Sequence, residues 1–187
     1  MAGRQKYRAN NQAIVIDQID VVEQGMLQWR HEFPDLDCSG KAVVGRILRL
    51  QGVILQQFDA ALEPFGFKYS SFAVLATLRA SGMQYEMSPS QLRKKLLLSS
   101  GGVSNLLTKL EEKNFIIRIN SKHDRREVIV RLTKTGKKLI EQAMQAHAAA
   151  ERKLIKTFSS AEAEQLGILL SQLLLSHEGQ SSDYQSS

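Results

Sequence analysis

Ser104, Asn105, Thr108 and Lys109 cluster on one side of a helix predicted over residues 100–112, while Val103, Leu107 and Leu110 form its narrow apolar face. Short hydroxyl and amide side chains beside one cation are the types that hydrogen-bond base edges and phosphates in a DNA major groove. A face that is only solvated more often carries long Glu and Lys pairs, and a plain surface helix is the alternative reading. The turn ahead of this helix, Ser99-Ser100-Gly101-Gly102, offers hydroxyls for capping and two glycines where backbone can come close to a ligand. A shorter helix precedes it. Ser88 caps that helix, Pro89 suits its first position and Gln91 completes a capping box. Leu92 and Leu96 bury one face, and Arg93, Lys94 and Lys95 fringe it.

Two runs rich in β-branched residues follow, 115–120 and 127–132, so the helix pair leads into a β-hairpin. A third short strand is predicted around Tyr85-Glu86-Met87. The hairpin tip, Ser121-Lys122-His123-Asp124-Arg125-Arg126, lacks the Asn-Gly or Asp-Gly of a simple turn and carries three fixed cations. Such a tip beside a helix-turn-helix suits insertion into a narrow, electronegative minor groove. Residues 88–138 hold thirteen Lys and Arg against four Asp and Glu, a net +9, whereas the whole chain carries +6. The excess charge is local, and a localised basic surface is a nucleic-acid footprint. The candidate DNA contacts are Arg93, Lys95, Ser100, Ser104, Asn105, Thr108, Lys109, Lys122, Asp124, Arg125 and Arg126.

The runs SSGGVSNLLTKLEEKNFI and HDRREVIVRLTKTG, with Asp124-Arg125-Arg126 as an Asp-x-Arg wing signature and Gly136 at the next helix start, resemble the MarR family of transcriptional regulators. The resemblance extends over roughly residues 17–175. It implies a homodimer whose N- and C-terminal helices interlock, and a pseudo-palindromic operator read by two recognition helices with the wings in flanking minor grooves.

The remaining elements must hold this lobe and find a use for their own apolar seams. The expected fold is mainly α with a small β-wing, a winged helix-turn-helix flanked by N- and C-terminal dimerisation helices. The expected divisions are a flexible arm over 1–11, N-terminal helices over 12–66, the DNA-binding lobe over 67–133, C-terminal helices over 134–176 and a disordered tail over 177–187. Val15, Ile19, Val22, Met26, Trp29 and Phe33 recur at spacings of four and three, a heptad-like seam along one predicted helix. A second helix is predicted over 41–62, with Val44, Ile47, Leu48, Ile54, Leu55, Phe58 and Leu62 on its core side. Phe72, Leu75 and Leu78 belong to a third. After the wing, a long helix is predicted to about residue 158, then a last one capped by Ser159 and Glu162 and carrying Leu166, Leu169, Leu170, Leu173 and Leu174.

No cofactor, metal or catalytic cluster is expected. The four histidines are scattered, and His147 with Glu151 supplies at most two ligands at helical spacing. No phosphate loop, dinucleotide fingerprint or nucleophile elbow is visible. No apolar run reaches membrane-spanning length. Cys38, the single cysteine, fits a reducing cytoplasm and lies beside Asp37, which disfavours its thiolate. The expected location is cytoplasmic, on the bacterial nucleoid when bound.

Within the family, the segment around Trp29 and the SSGG turn resemble the urate-responsive, PecS-like subgroup, which implies a ligand pocket lined by Trp29; plain packing of Trp29 on its seam is the alternative reading. That subgroup has an acid where this chain has Ala73 and an arginine where it has Leu106, so urate response is not expected; Arg46 is the nearest substitute for the missing anion donor. The resulting expectation is a regulator, more often a repressor by analogy, released by a small aromatic or anionic effector. The alternative is an architectural or nucleoid-antagonist DNA-binding protein without a ligand switch.

Overall fold

The computed structural model describes residues 5–9, 12–16, 19–120 and 127–178. The chain forms two compact units, 1–56 and 57–187.

In the first unit, strands β1 (Gln5–Ala9) and β2 (Gln12–Ile16) pair antiparallel, with Tyr7 opposite Ile14. Helix α1 spans Val21–Glu32, and α2 spans Ser39–Leu62, its last turns falling in the second unit. The seam expected from Val15 is therefore shorter than its spacing suggests. Val15 lies in β2, where the β-branched run Ile14-Val15-Ile16 favours extended backbone. Asp20 starts α1 by accepting from the Val22 and Glu23 amides at 2.8 and 2.9 Å. Gly45 lets α2 close on α1, since a β-carbon there would stand 3.0 Å from Val22 Cγ1.

A charge network sits beside that approach. Glu23 is 2% exposed and accepts from Arg46 at 3.2 Å and Arg30 at 3.3 Å, and Arg46 also meets Asp20 at 2.8 Å. Burial would cost a lone carboxylate dearly, so the two guanidiniums are what make this position tenable.

Only Phe58 and Leu62 of the expected inner face of α2 are buried; Val44, Ile47, Leu48 and Leu55 are exposed. Their periodicity is real, but among the described residues those side chains stay exposed.

The second unit holds the main core. One 3-10 turn (Glu63–Phe65) and a left-handed Gly66 lead to α3 (Tyr69–Arg79). Lys68 cannot cap α3, and Asp59 on α2 does so instead, accepting from the Tyr69 amide at 2.8 Å. Phe72, Val74, Leu75 and Leu78 of α3 pack with Leu92 of α4 (Pro89–Leu96) and Val103, Leu107 and Leu110 of α5 (Ser100–Glu112). The sheet closes one side in the order β3-β5-β4: Glu86–Met87, Val128–Leu132 and Ile116–Asn120. Both neighbours of β5 run antiparallel to it, with Ile116 opposite Leu132 and Glu86 opposite Arg131.

Thr133 caps α6 (Lys134–Leu154), accepting from the Gly136 amide at 2.9 Å while donating to the Asn114 carbonyl at 2.8 Å. Ile140 and Ala143 of α6 are fully buried. Helix α6 stops at Leu154, four residues before the expected end. The last helix, α7 (Ser160–Glu178), is preceded by the Ser159–Glu162 capping box. Leu166, Leu169, Leu170, Leu173 and Leu174 on it are all exposed.

No helix among the described residues is long and apolar enough to cross a membrane.

Candidate nucleic-acid interface

The helix-turn-helix follows from its caps. Ser88 accepts from the Gln91 amide at 3.3 Å and Gln91 returns a side-chain acceptor to the Ser88 amide at 2.9 Å, so α4 begins where the capping box dictates. It ends at Leu97, whose backbone is left-handed (φ 52°, ψ 39°). Ser99 then caps α5, accepting from the Gly102 amide at 3.1 Å. Only Leu98 thus separates the C-cap of α4 from the N-cap of α5.

With Val103, Leu107 and Leu110 buried, the face of α5 bearing Ser104, Asn105, Thr108 and Lys109 is exposed. Arg93 and Lys95 are exposed on α4. Arg93, Ser100 and Ser104 line one groove of about 380 Å³, whose wall Arg118 of β4 and Val128 of β5 complete. Lys95, Asn105, Thr108 and Lys109 are not part of that lining. Lys122, Asp124, Arg125 and Arg126 lie outside the described residues.

Thr108 is not an idle hydroxyl. It donates to the Ser104 carbonyl at 3.1 Å and accepts from Arg118 Nη2 at 3.1 Å. Arg118 is a groove residue whose place no local sequence signal gives. A strand position says which face a side chain takes, and only the packing of β4 against α5 decides that this face looks onto α5.

Trp29 and Arg46 both lie in the first unit. Trp29 is 45% exposed, packs on Phe33 with ring centroids 5.4 Å apart, and has Lys41 Nζ 5.6 Å from its ring centroid. Arg46 is occupied by Asp20, Glu23 and the Ala42 carbonyl, the last at 2.7 Å. The Asp20 carboxyl is held below the usual carboxylate range, first by the Glu23 amide and then by Arg46. Leu106 and Ala73 are half-buried.

His147 is buried, its ring against Phe58, Tyr69 and Phe72, with Nδ1 3.5 Å from Glu151. Among the described residues no group of three or more His, Cys, Asp or Glu is placed to hold a metal. Cys38 is buried, and the neighbouring Asp37 takes the Ser39 amide at 2.8 Å.

A protein-family model described as "MarR family" matches residues 67–128. The HTH-type transcriptional regulator PecS of Dickeya dadantii is 33% identical over 151 residues, covering 81% of this chain and 89% of PecS. The multiple antibiotic resistance protein MarR of Salmonella typhimurium is 30% identical over 60% of this chain and 77% of its own length. Among solved structures, the S. aureus MepR–DNA complex aligns with a TM-score of 0.65 at 29% identity, covering 72% of this chain and 98% of MepR. Wild-type apo MarR from E. coli aligns with a TM-score of 0.62 at 26% identity, covering 70% and 96%.

Proposed function

The chain belongs to the MarR family, a DNA-binding transcriptional regulator with the winged helix-turn-helix fold, and we propose that it acts as a homodimeric repressor released from its operator by a small aromatic or anionic effector. The observation that carries the DNA reading is the exposed polar face of α5 beside a groove rimmed by Arg93 and Arg118. In this reading α5 enters the major groove. Asn105 and Thr108 read bases, while Arg93, Lys95, Ser100, Ser104 and Lys109 hold phosphates and register. Lys122, Asp124, Arg125 and Arg126 grip the flanking minor groove.

The exposed apolar side chains along α2 and α7 support the homodimer, since exposed apolar surface concentrated on a helix marks a protein contact. For the effector, Trp29 offers a half-exposed ring and Lys41 a cation beside it. Arg46 already answers two carboxylates, so an anionic ligand there has to displace one of them, and Lys41 is the better donor.

Sequencing the DNA retained by the purified protein from a random pool tests the reading. A shared inverted-repeat motif, bound at least a hundredfold tighter than scrambled DNA at the same salt, is the expected result. Retention without any motif favours an architectural DNA-binding protein.

A further inference from the structure

We propose that Arg118 is a DNA contact kept in reserve, and that Glu111 is the internal anion it leaves when DNA arrives. The inference rests on the DNA-binding reading and adds a residue pair to it. Arg118 reaches from β4 back onto α5, where its Nε stands 3.4 Å from Glu111 Oε2 and its Nη2 donates to Thr108 at 3.1 Å. The same carboxylate takes the Arg118 backbone amide at 3.2 Å, so Glu111 is anchored to the strand whether or not the guanidinium stays. Both side chains are about one-third exposed, at 33% and 39%.

Three physical points turn this contact into an exchange. An exposed ion pair is weak, and a polyanion that comes within reach competes with it on equal terms. A guanidinium has five N–H donors in a planar fork, more than these two partners use, and the fork matches a phosphate. Arg118 also shares its groove with Arg93, Ser100 and Ser104, so a phosphate seated there meets donors from α4, α5 and β4 together. Moving Arg118 to that phosphate removes its bond to the Thr108 hydroxyl and returns an acceptor lone pair to the recognition face. Phosphate binding and the readiness of one base-reading side chain are thereby linked. Glu111 lowers affinity for every DNA sequence in exchange for keeping the unbound face ordered.

The test measures binding of the selected operator and of scrambled DNA across a salt series for wild type, Glu111→Gln, Arg118→Gln and the double variant. Glu111→Gln keeps the acceptor for the Arg118 amide and removes the charge. It should tighten both DNAs by about three- to tenfold. Arg118→Gln should weaken both and flatten the salt dependence by about one unit. The gain from Glu111→Gln should largely vanish in the Arg118→Gln background, because it acts through that guanidinium.

An unchanged salt slope in a folded Arg118→Gln protein overturns the proposal and leaves Arg118 as a strut between β4 and α5. So does a Glu111→Gln gain that persists in full without Arg118. If Arg118→Gln does not fold, the isosteric Glu111→Gln decides alone, and no tightening overturns the exchange. Wild-type protein that retains no DNA at all sinks the parent reading; wild type that binds while these variants bind identically sinks only this one.

Discussion

Gly136 lies directly against the carbonyl of Phe115, so closely that a β-carbon built on it would overlap the carbonyl oxygen. Neither partner can yield, because the obstacle is backbone and Thr133 ties the same stretch through bonds to Asn114, Phe115 and Gly136. Gly136→Ala is therefore expected to destabilise the protein by about 3 kcal/mol, the upper end for overpacking. Urea denaturation measures it; a loss below about 0.5 kcal/mol would mean the two segments separate freely.

Leu97 should respond in the opposite direction. Its left-handed backbone suits glycine, and its side chain is 83% exposed and packs little. Leu97→Gly removes a strain of about 1–2 kcal/mol, partly offset by a more flexible unfolded chain. The net expectation is a gain of up to about 1 kcal/mol in thermal or urea unfolding. A clear loss of stability would show that the leucine side chain is needed.

The Asp20 cap makes the first unit acid-sensitive. The folded carboxyl's pKa is lowered by the Glu23 amide and then by Arg46, so its contribution is present above the unfolded carboxyl's value. It fades as pH falls below roughly 4, through the depressed folded value. The stability difference between wild type and Asp20→Asn should hold from pH 7 to 5 and shrink toward pH 3. A difference that does not change with pH would remove the charge from the explanation.

On the recognition helix, Lys109→Gln should weaken operator and scrambled DNA alike and reduce the salt slope by about one unit. Asn105→Ala should cost about 1–3 kcal/mol on the operator and far less on scrambled DNA. Equal losses on both DNAs would move base reading away from Asn105.

Urate at micromolar concentration is expected to leave the operator complex intact, since Leu106 and Ala73 offer no charged partner and Arg46 is already paired. Trp29 is the single tryptophan, so quenching of its fluorescence reports directly on any planar compound that stacks there. Release of DNA by micromolar urate would show that Lys41 or another donor suffices.

Much of the DNA-binding lobe was legible because its signals are local. Ser88, Gln91 and Ser99 state where helices begin, and Val103, Leu107 and Leu110 state which side of α5 is inside. What stayed hidden depends on approach between distant segments. Gly136 reads as an ordinary helix-start glycine until the Phe115 carbonyl is seen over it. Asp59, ten residues before Tyr69, caps α3 from α2, a pairing no local signal marks. Arg118 needed the angle between β4 and α5. Periodicity also overstated the seam of α1 and said nothing about whether the apolar faces of α2 are covered by the same chain.

The bare leucines of α7 have a consequence in time as well as in space. During synthesis the recognition helix and sheet leave the ribosome well before residue 160, and domains that emerge first fold first. The adhesive helix is thus the last element of its unit to become available, after the residues that build α5 and the sheet. A circular permutation that moved α7 ahead of the lobe would reverse this order, exposing the sticky surface while the core was still open.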